Sequence, residues 1–201
     1  MKTISVLVIT YNHEKYLREA LEGILSQKVQ ANLEIIISDD CSKDQTLKLA
    51  LEYQKKYPAI IKVLHCEKNL GHTRNYVRAW EQASGDYIAH CDGDDYWTDP
   101  HKLAKQLEFM EHNPDYSVCG HKVWALAEED SSMHGPIPRT EQSSFTTEDM
   151  LEACFPHNCS LFFRNRLFTS FPDFFYDLTG HDWCIDLLNS LHGPIKVFPE
   201  T

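Results

Sequence analysis

Apolar residues recur along this chain in two rhythms. Near-continuous β-branched runs predict strands covered on both faces, and apolar positions three and four apart predict amphipathic helices. "ISVLVIT" (Ile4 to Thr10) is the first such strand. "YNHEKYLREALEGILSQ" follows as a helix whose apolar face is Tyr16, Leu17, Ala20, Leu21, Ile24 and Leu25. "LEIIISDD" predicts a second strand ending in Asp39 and Asp40. "CSKDQTLKLALEYQKKYP" predicts a second helix, capped by Ser42 or Asp44 and closed by Pro58. "IIKVLH" is a third strand, "NLGHTRNYVRAWEQASG" a glycine-opened loop and helix ending near Gly85, and "DYIAHCD" a fourth strand.

Strands and helices that alternate with short connections imply an α/β fold with a mainly parallel central sheet. This pattern fills residues 1–99. Residues 100–201 continue the same domain with a helix in "DPHKLAKQLEFMEHNP", a strand in "YSVCGHKVWAL" and a polar surface loop from Ala127 to Ser144. After these come a short capped helix in "TTEDMLEAC", a strand in "NCSLFFRNRLF" and a last helix in "GHDWCIDLLNSLHG", with Trp183, Leu187, Leu188 and Leu191 as its apolar side. "PIKVFPET" opens one more strand, and the expectation is that the natural chain continues past it.

Ligands of an open parallel sheet bind outside the carboxyl ends of its strands. Three of those ends are polar: "TYN", "SDD" and "CDGDD". No G-x-G-x-x-G and no G-x-x-x-x-G-K-[ST] follows the first strand, which argues against a dinucleotide site or a P-loop. Tyr11 offers a flat face to a base, and Asp39 or Asp40 an acceptor for its N–H. Taken alone, "DDCSKD" also reads as a helix-capping turn, and Tyr11 as packing.

The segment "HCDGDDYW" is harder to read as a solvated turn. Asp92, Asp94 and Asp95 crowd like charges at the end of a buried strand, which costs free energy unless a partner offsets it. Asp-x-Asp spacing sets two carboxylates on one side of an extended segment, where they can share Mg²⁺ or Mn²⁺, or divide between a cation and a ribose hydroxyl. Gly93 lets a ligand approach the backbone. His90 precedes the cluster, whereas His13, His65, His101 and His112 read as surface or satisfied positions.

Composition narrows the picture further. The 201 residues carry a net charge of −11, which excludes the basic stripe of a non-specific nucleic-acid binder but not a nucleotide held through a cation. Seven scattered cysteines without a C-x-x-C pair suit reduced, buried thiols of a cytoplasmic protein. No apolar run is long enough to span a membrane.

Together, "SVLVITYNHEKYLREALEGILSQ", "LEIIISDDCSKDQT", "NLGHTRN", "ASGDYIAHCDGDDYW" and "GHDW" resemble the inverting glycosyltransferases of family 2, with the GT-A fold. The resemblance implies a nucleotide-diphosphate sugar donor, usually of uridine, and Mn²⁺ or Mg²⁺ as cofactor. It implies that residues 1–99 bind the donor and that 100–201 face a saccharide or lipid-linked acceptor. Such an enzyme would be cytoplasmic, associating with the inner membrane face where the acceptor is lipid-linked. Carried onto this sequence, Thr10, Tyr11, Asn12 and Asp40 hold the base, with Asp39 beside them. Arg74 approaches the base or diphosphate, Asp92 and Gly93 lie at the ribose, and Asp94 with Asp95 holds the metal. Asp182 matches the catalytic carboxylate, although His181 stands where the family usually has Glu. His157, His181 and Trp183 are the acceptor-side candidates. A sugar nucleotidyltransferase would need a glycine-rich loop where "TYNHEKY" has none. A non-catalytic nucleotide-binding module fits poorly with a second acidic cluster.

Overall fold

In the computed structural model, which describes residues 1–153 and 156–199, the predicted alternation forms in order. β1 (Thr3–Thr10), α1 (Leu17–Leu25), β2 (Asn32–Asp39), α2 (Thr46–Lys56), β3 (Ile61–Leu64), α3 (His72–Trp80) and β4 (Tyr87–His90) make the first half. α4 (Lys102–His112), β5 (Val118–His121), β6 (Val123–Leu126), β7 (Met133–Ile137), β8 (Ser144–Phe145), α5 (Thr147–Glu152), β9 (Phe162–Arg164), α6 (Asp182–Ser190) and β10 (Ile195–Phe198) follow. One eight-stranded sheet in the order β3-β2-β1-β4-β9-β5-β10-β8 runs through both halves. Its β3, β2, β1 and β4 are mutually parallel, β9 is inserted antiparallel between β4 and β5, and β10 runs parallel to β5. Six of the cysteines are free thiols; Cys154 lies outside the described residues.

Two cores follow from strand alternation. Val6, Val8, Ile35 and Ile37 face α1, α2 and α4, where Leu17, Leu21, Ile24, Leu49 and Leu103 cover them. Leu7, Ile9, Ile36 and Ile88 face the other way, onto Tyr76 and Val77 of α3, Phe171, Phe175 and Ile185 of α6. Continuous apolar strands are what such a doubly covered sheet requires.

Several boundaries differ from the sequence expectation. α1 starts at Leu17 because Asn12 has φ 58°, a left-handed conformation that no helix continues through. α2 starts at Thr46, whose backbone N–H bonds to Asp44 Oδ1, while Ser42 Oγ instead accepts the N–H of Asn12. The single strand expected over "YSVCGHKVWAL" breaks into β5 and β6, and β6 pairs with β7 in a separate hairpin inside the expected polar loop. The residues of β7 are exposed or half-buried, so no apolar rhythm marks them. α6 buries Ile185, Asp186, Asn189 and Ser190, with Leu187 and Leu188 only partly covered and Trp183 and Leu191 exposed. Two of the four residues expected on its apolar side therefore face outward.

Two cations, half-buried Arg164 and buried Lys102, brace the parts that carry the polar strand ends. Arg164 of β9 donates to the carbonyls of Tyr116, Met110 and Asn113 and to Tyr87 Oη, tying β9 to β4 and to the end of α4. Lys102, 5% exposed, sets its Nζ 4.0 Å from the centre of the Trp97 ring and donates to Gln106 Oε1. Gln106 in turn donates to the Ser160 carbonyl, and Trp97 Nε1 to that of Cys159, so the chain after "CDGDD" is pinned to the segment before β9.

Arg164→Ala strands three carbonyls and a phenol at once. It is expected to lower unfolding free energy by about 2–4 kcal/mol, seen as a lower urea midpoint with unchanged slope. For Lys102, burial lowers the ammonium pKa to about 8 from 10.5. Between those values the unfolded chain binds more protons, so stability rises with pH, and below pH 8 the folded state carries a desolvation cost of roughly 3 kcal/mol. Lys102→Met forfeits the contact with Trp97 but removes that cost. It is expected to be the more stable protein near pH 7 by about 1–2 kcal/mol, with the advantage fading as pH rises through 8 towards 10.5. Urea unfolding of both proteins across a pH series measures this.

Candidate active site

The ends of β1, β2 and β4 meet because they are neighbours in register: Thr10 pairs with Asp39, and Leu7 with His90. Past β4 the chain keeps alongside β1, with the N–H of Cys91 on the Leu7 carbonyl and that of Gly93 on the Ile9 carbonyl. Gly93 packs so tightly that an added Cβ would lie 2.8 Å from Thr10 Oγ1 and 2.9 Å from His13 Nδ1. The glycine is therefore demanded by the close fit of this segment on Thr10 and His13. His13, read as a surface position, lies 3.6 Å from Asp94.

On the base side, the turns after β1 and β2 lock together. Asn12 Oδ1 accepts the N–H of Lys43, and Glu14 Oε2 that of Gln45. The two carboxylates of "SDD" differ. Asp40 spends both oxygens on backbone, accepting from Leu70 N and Gly71 N at 2.7 and 2.9 Å. Asp39 accepts from Ser42 N through Oδ2 and leaves Oδ1 buried without a partner. Tyr11 stands beside them 38% exposed, and the buried Thr10 hydroxyl has no partner. The expected assignment of the base to Asp40 thus meets a carboxylate already occupied, and the open acceptor is on Asp39.

Arg74, expected near the base or diphosphate, is exposed on the first turn of α3 with its guanidinium 5.3 Å from the centre of the Tyr176 ring. The arginine that reaches the strand end is Arg78, which donates to Ser38 Oγ, to Asn75 Oδ1 and to the Asp39 carbonyl. It lies one helical turn past Arg74, and the sequence carries no signal that separates the two.

At β4 the crowded acids are treated unequally. His90 Nε2 lies 3.0 Å from Asp92 Oδ1, and Asn158 donates to Asp92 Oδ2 at 3.3 Å. Burial alone would raise the Asp92 carboxyl, but the His90 charge and hydrogen bond, with His72 and His181 behind them, hold it down at about 2. His90 is raised in return: its burial opposes the charged form, and Asp92 outweighs it. Asp94 is half exposed. Burial together with the charges of Asp92 and Asp94 pushes Asp95 up to about 7, against the opposing His90 charge and a hydrogen bond with Cys159. The half-exposed Asp94 and the raised Asp95 are oxygen donors of the kind a hard divalent cation takes.

Asp182 opens α6 with Oδ1 buried and unpartnered, 3.6 Å from His181 Nε2. His181 is fully buried, against Tyr76 and His72 with ring centres 4.6 Å apart in each case. Burial, reinforced by the charges of His72 and His90, lowers it to about 3, so it is neutral. With no exposed surface it stands behind Asp182 and offers no face to an acceptor. Trp183 is half exposed and anchors its indole N–H on the Met150 carbonyl. His157 is exposed beside Cys159, with Nδ1 3.4 Å from Sγ. Tyr76 links the two acidic groups, its ring also packing on His90 at 5.3 Å.

Asn158, Tyr76 and Arg78 were missed by sequence reading. Asn158 reaches Asp92 only because β9 is inserted beside β4, and no local pattern announces a partner 66 residues away.

Over residues 5–170 the chain matches the Glycosyl transferase family 2. It is 32% identical over 198 residues to an uncharacterized protein of Mycobacterium tuberculosis, covering 98% of this chain and 57% of that one. It is 36% identical over 126 residues to an uncharacterized glycosyltransferase of Methanocaldococcus jannaschii, covering 62% and 43%. The chain thus spans about half the length of these curated relatives. Among solved structures, S. aureus TarS 1-349 in complex with UDP matches 100% of this chain and 59% of its own, at 25% identity and a TM-score of 0.77. The mainly parallel sheet and this likeness identify the fold as GT-A. With a family match over most of its length and a sheet edge that gathers the family's acidic motifs, this chain belongs to glycosyl transferase family 2.

Proposed function

We propose that this chain transfers a sugar from a nucleotide-diphosphate donor, with UDP as the nucleotide, to a hydroxyl of a saccharide or lipid-linked acceptor, with inversion and dependence on Mn²⁺ or Mg²⁺. The observation that carries this reading is the meeting, at one sheet edge, of open carboxylate oxygens on Asp39 and Asp182 with the His90-held Asp92. The UDP bound by the similar TarS supports the choice of nucleotide.

In this reading Asp39 Oδ1 accepts a base N–H while Tyr11 covers the ring. Thr10 and Asn12 shape the floor of that site, and Asp40 holds the wall formed by residues 69–71. Asp92, kept ionised by His90, accepts from a ribose hydroxyl. Asp94 and Asp95 hold the cation, which when bound offsets charge on the departing diphosphate. Asp182 takes the proton from the acceptor hydroxyl as its oxygen attacks the anomeric carbon from the face opposite the diphosphate. A single carboxylate base suffices for a single displacement, as in inverting glycoside chemistry.

Two measurements test this. Calorimetric UDP binding is expected to need Mn²⁺ and to weaken at least about tenfold in Asp39→Asn and Asp94→Ala; binding unaffected by cation or by either change overturns the donor assignment. Asp182→Asn is expected to keep UDP binding and lose about 10²-fold or more in transfer. Near-wild-type transfer in that variant removes Asp182 as base, and pyrophosphate-dependent turnover of a UDP-sugar would favour a nucleotidyltransferase instead.

A further inference from the structure

The 3-10 turn Asn158–Ser160 presents two faces. Asn158 turns toward Asp92, at the proposed donor site. The residues on either side of it, His157 and Cys159, meet Asp95 instead, and one ligand atom from each of the three lies within 4.8 Å of the others. This trio mixes imidazole, thiol and carboxylate, unlike the two carboxylates, Asp94 and Asp95, proposed for the donor cation.

We propose that Asp95, His157 and Cys159 form a binding site for a borderline-to-soft divalent cation of the zinc class. Ligand softness carries the argument first. Thiolate and imidazole select zinc-like ions, whereas Mg²⁺ and Mn²⁺ prefer oxygen donors. Geometry agrees. Zinc arms of about 2.0 Å to nitrogen and about 2.3 Å to sulfur, held tetrahedrally, set those two ligand atoms roughly 3.5 Å apart. The Cys159 Sγ to His157 Nδ1 distance is 3.4 Å. The ligand atoms lie within 4.8 Å of one another, and His157 is exposed, so its side chain has room to adjust.

The supporting backbone is fixed from several sides. The Cys159 carbonyl accepts the Trp97 indole N–H, Ser160 Oγ donates to the His157 carbonyl, and the Ser160 carbonyl accepts from Gln106. Three protein ligands leave a fourth position, and it faces a cavity of about 550 Å³ that all three residues line. That cavity is walled by Trp97, Lys102 and Trp124, so an exogenous ligand or water has room to complete the shell. Binding displaces the thiol proton of Cys159 to solvent and leaves a thiolate–metal bond. Asp95 belongs to both acid sets, so a zinc-class ion here draws it away from Asp94.

Co²⁺ titration of the metal-free protein reads the site directly, because a cobalt–thiolate bond gives a near-ultraviolet charge-transfer band that oxygen and nitrogen ligands do not. One equivalent of Co²⁺ is expected to produce that band, and Zn²⁺ to bleach it. Cys159→Ser is expected to abolish the band and His157→Ala to weaken Co²⁺ binding by more than about tenfold, with circular dichroism and thermal midpoint unchanged. Asp94→Asn is expected to retain the band, which separates this site from the proposed donor cation. Absence of the band, its persistence in Cys159→Ser, or its loss in a folded Asp94→Asn protein overturns the assignment. None of these outcomes depends on UDP binding or on transfer.

Discussion

The ion pair between His90 and Asp92 holds the polar edge of this sheet together. Both partners are at the end of β4, where covered strands leave little water to solvate a charge. A carboxylate in that position without a partner would be neutralised, and a buried imidazolium without one would lose its proton. Together, 3.0 Å apart, each shifts the other toward its charged form: Asp92 raises His90 against its burial, and His90 holds Asp92 down at about 2. The pair is not an economical way to stabilise a fold, because desolvation consumes much of the attraction. Its effect is positional. It fixes an ionised carboxylate at a known height on β1, and the fit of Gly93 against Thr10 and His13 then sets where the following two acids emerge.

Insertion of β9 depends on the same edge and supports it. A strand running antiparallel between β4 and β5 brings residues 158–161 against His90 and Asp92, and the backbone N–H of His90 bonds to the Leu161 carbonyl. Arg164 at the far end of β9 secures that insertion through four hydrogen bonds. The first half of the chain thus builds the acidic strand ends, and a side chain from the second half, Asn158, hydrogen-bonds to Asp92 there. A division at residue 99 into independent halves would cut that contact.

The first hundred residues were legible because their signals are local. Apolar runs and helical spacing mark β1 to β4 and α1 to α3, and adjacency in a parallel sheet then predicts that "TYN", "SDD" and "CDGDD" converge. What resisted reading was set by distance or by sub-residue geometry. Asn158 is invisible until β9 is placed. Asp39 and Asp40 look equivalent in sequence, and only the backbone N–H groups of Leu70 and Gly71 reveal that Asp40 is already engaged. The hairpin β6–β7 escaped because exposed strands carry no hydrophobic alternation to detect.

Two buried histidines are shifted in opposite directions. Asp92 beside it raises His90 against the effect of burial. His181 is equally buried, but the charges of His72 and His90 reinforce its desolvation, so it is neutral. The rings of both pack on Tyr76, which forms an aromatic partition between them. Asp92, held down at about 2, is ionised and a poor proton acceptor. Burial keeps His181 neutral behind Asp182, so those two side chains approach to 3.6 Å without forming an ion pair. If His181 carried a proton, Asp182 would be drawn into an ion pair 3.6 Å away and would resemble Asp92 in state as well as in setting.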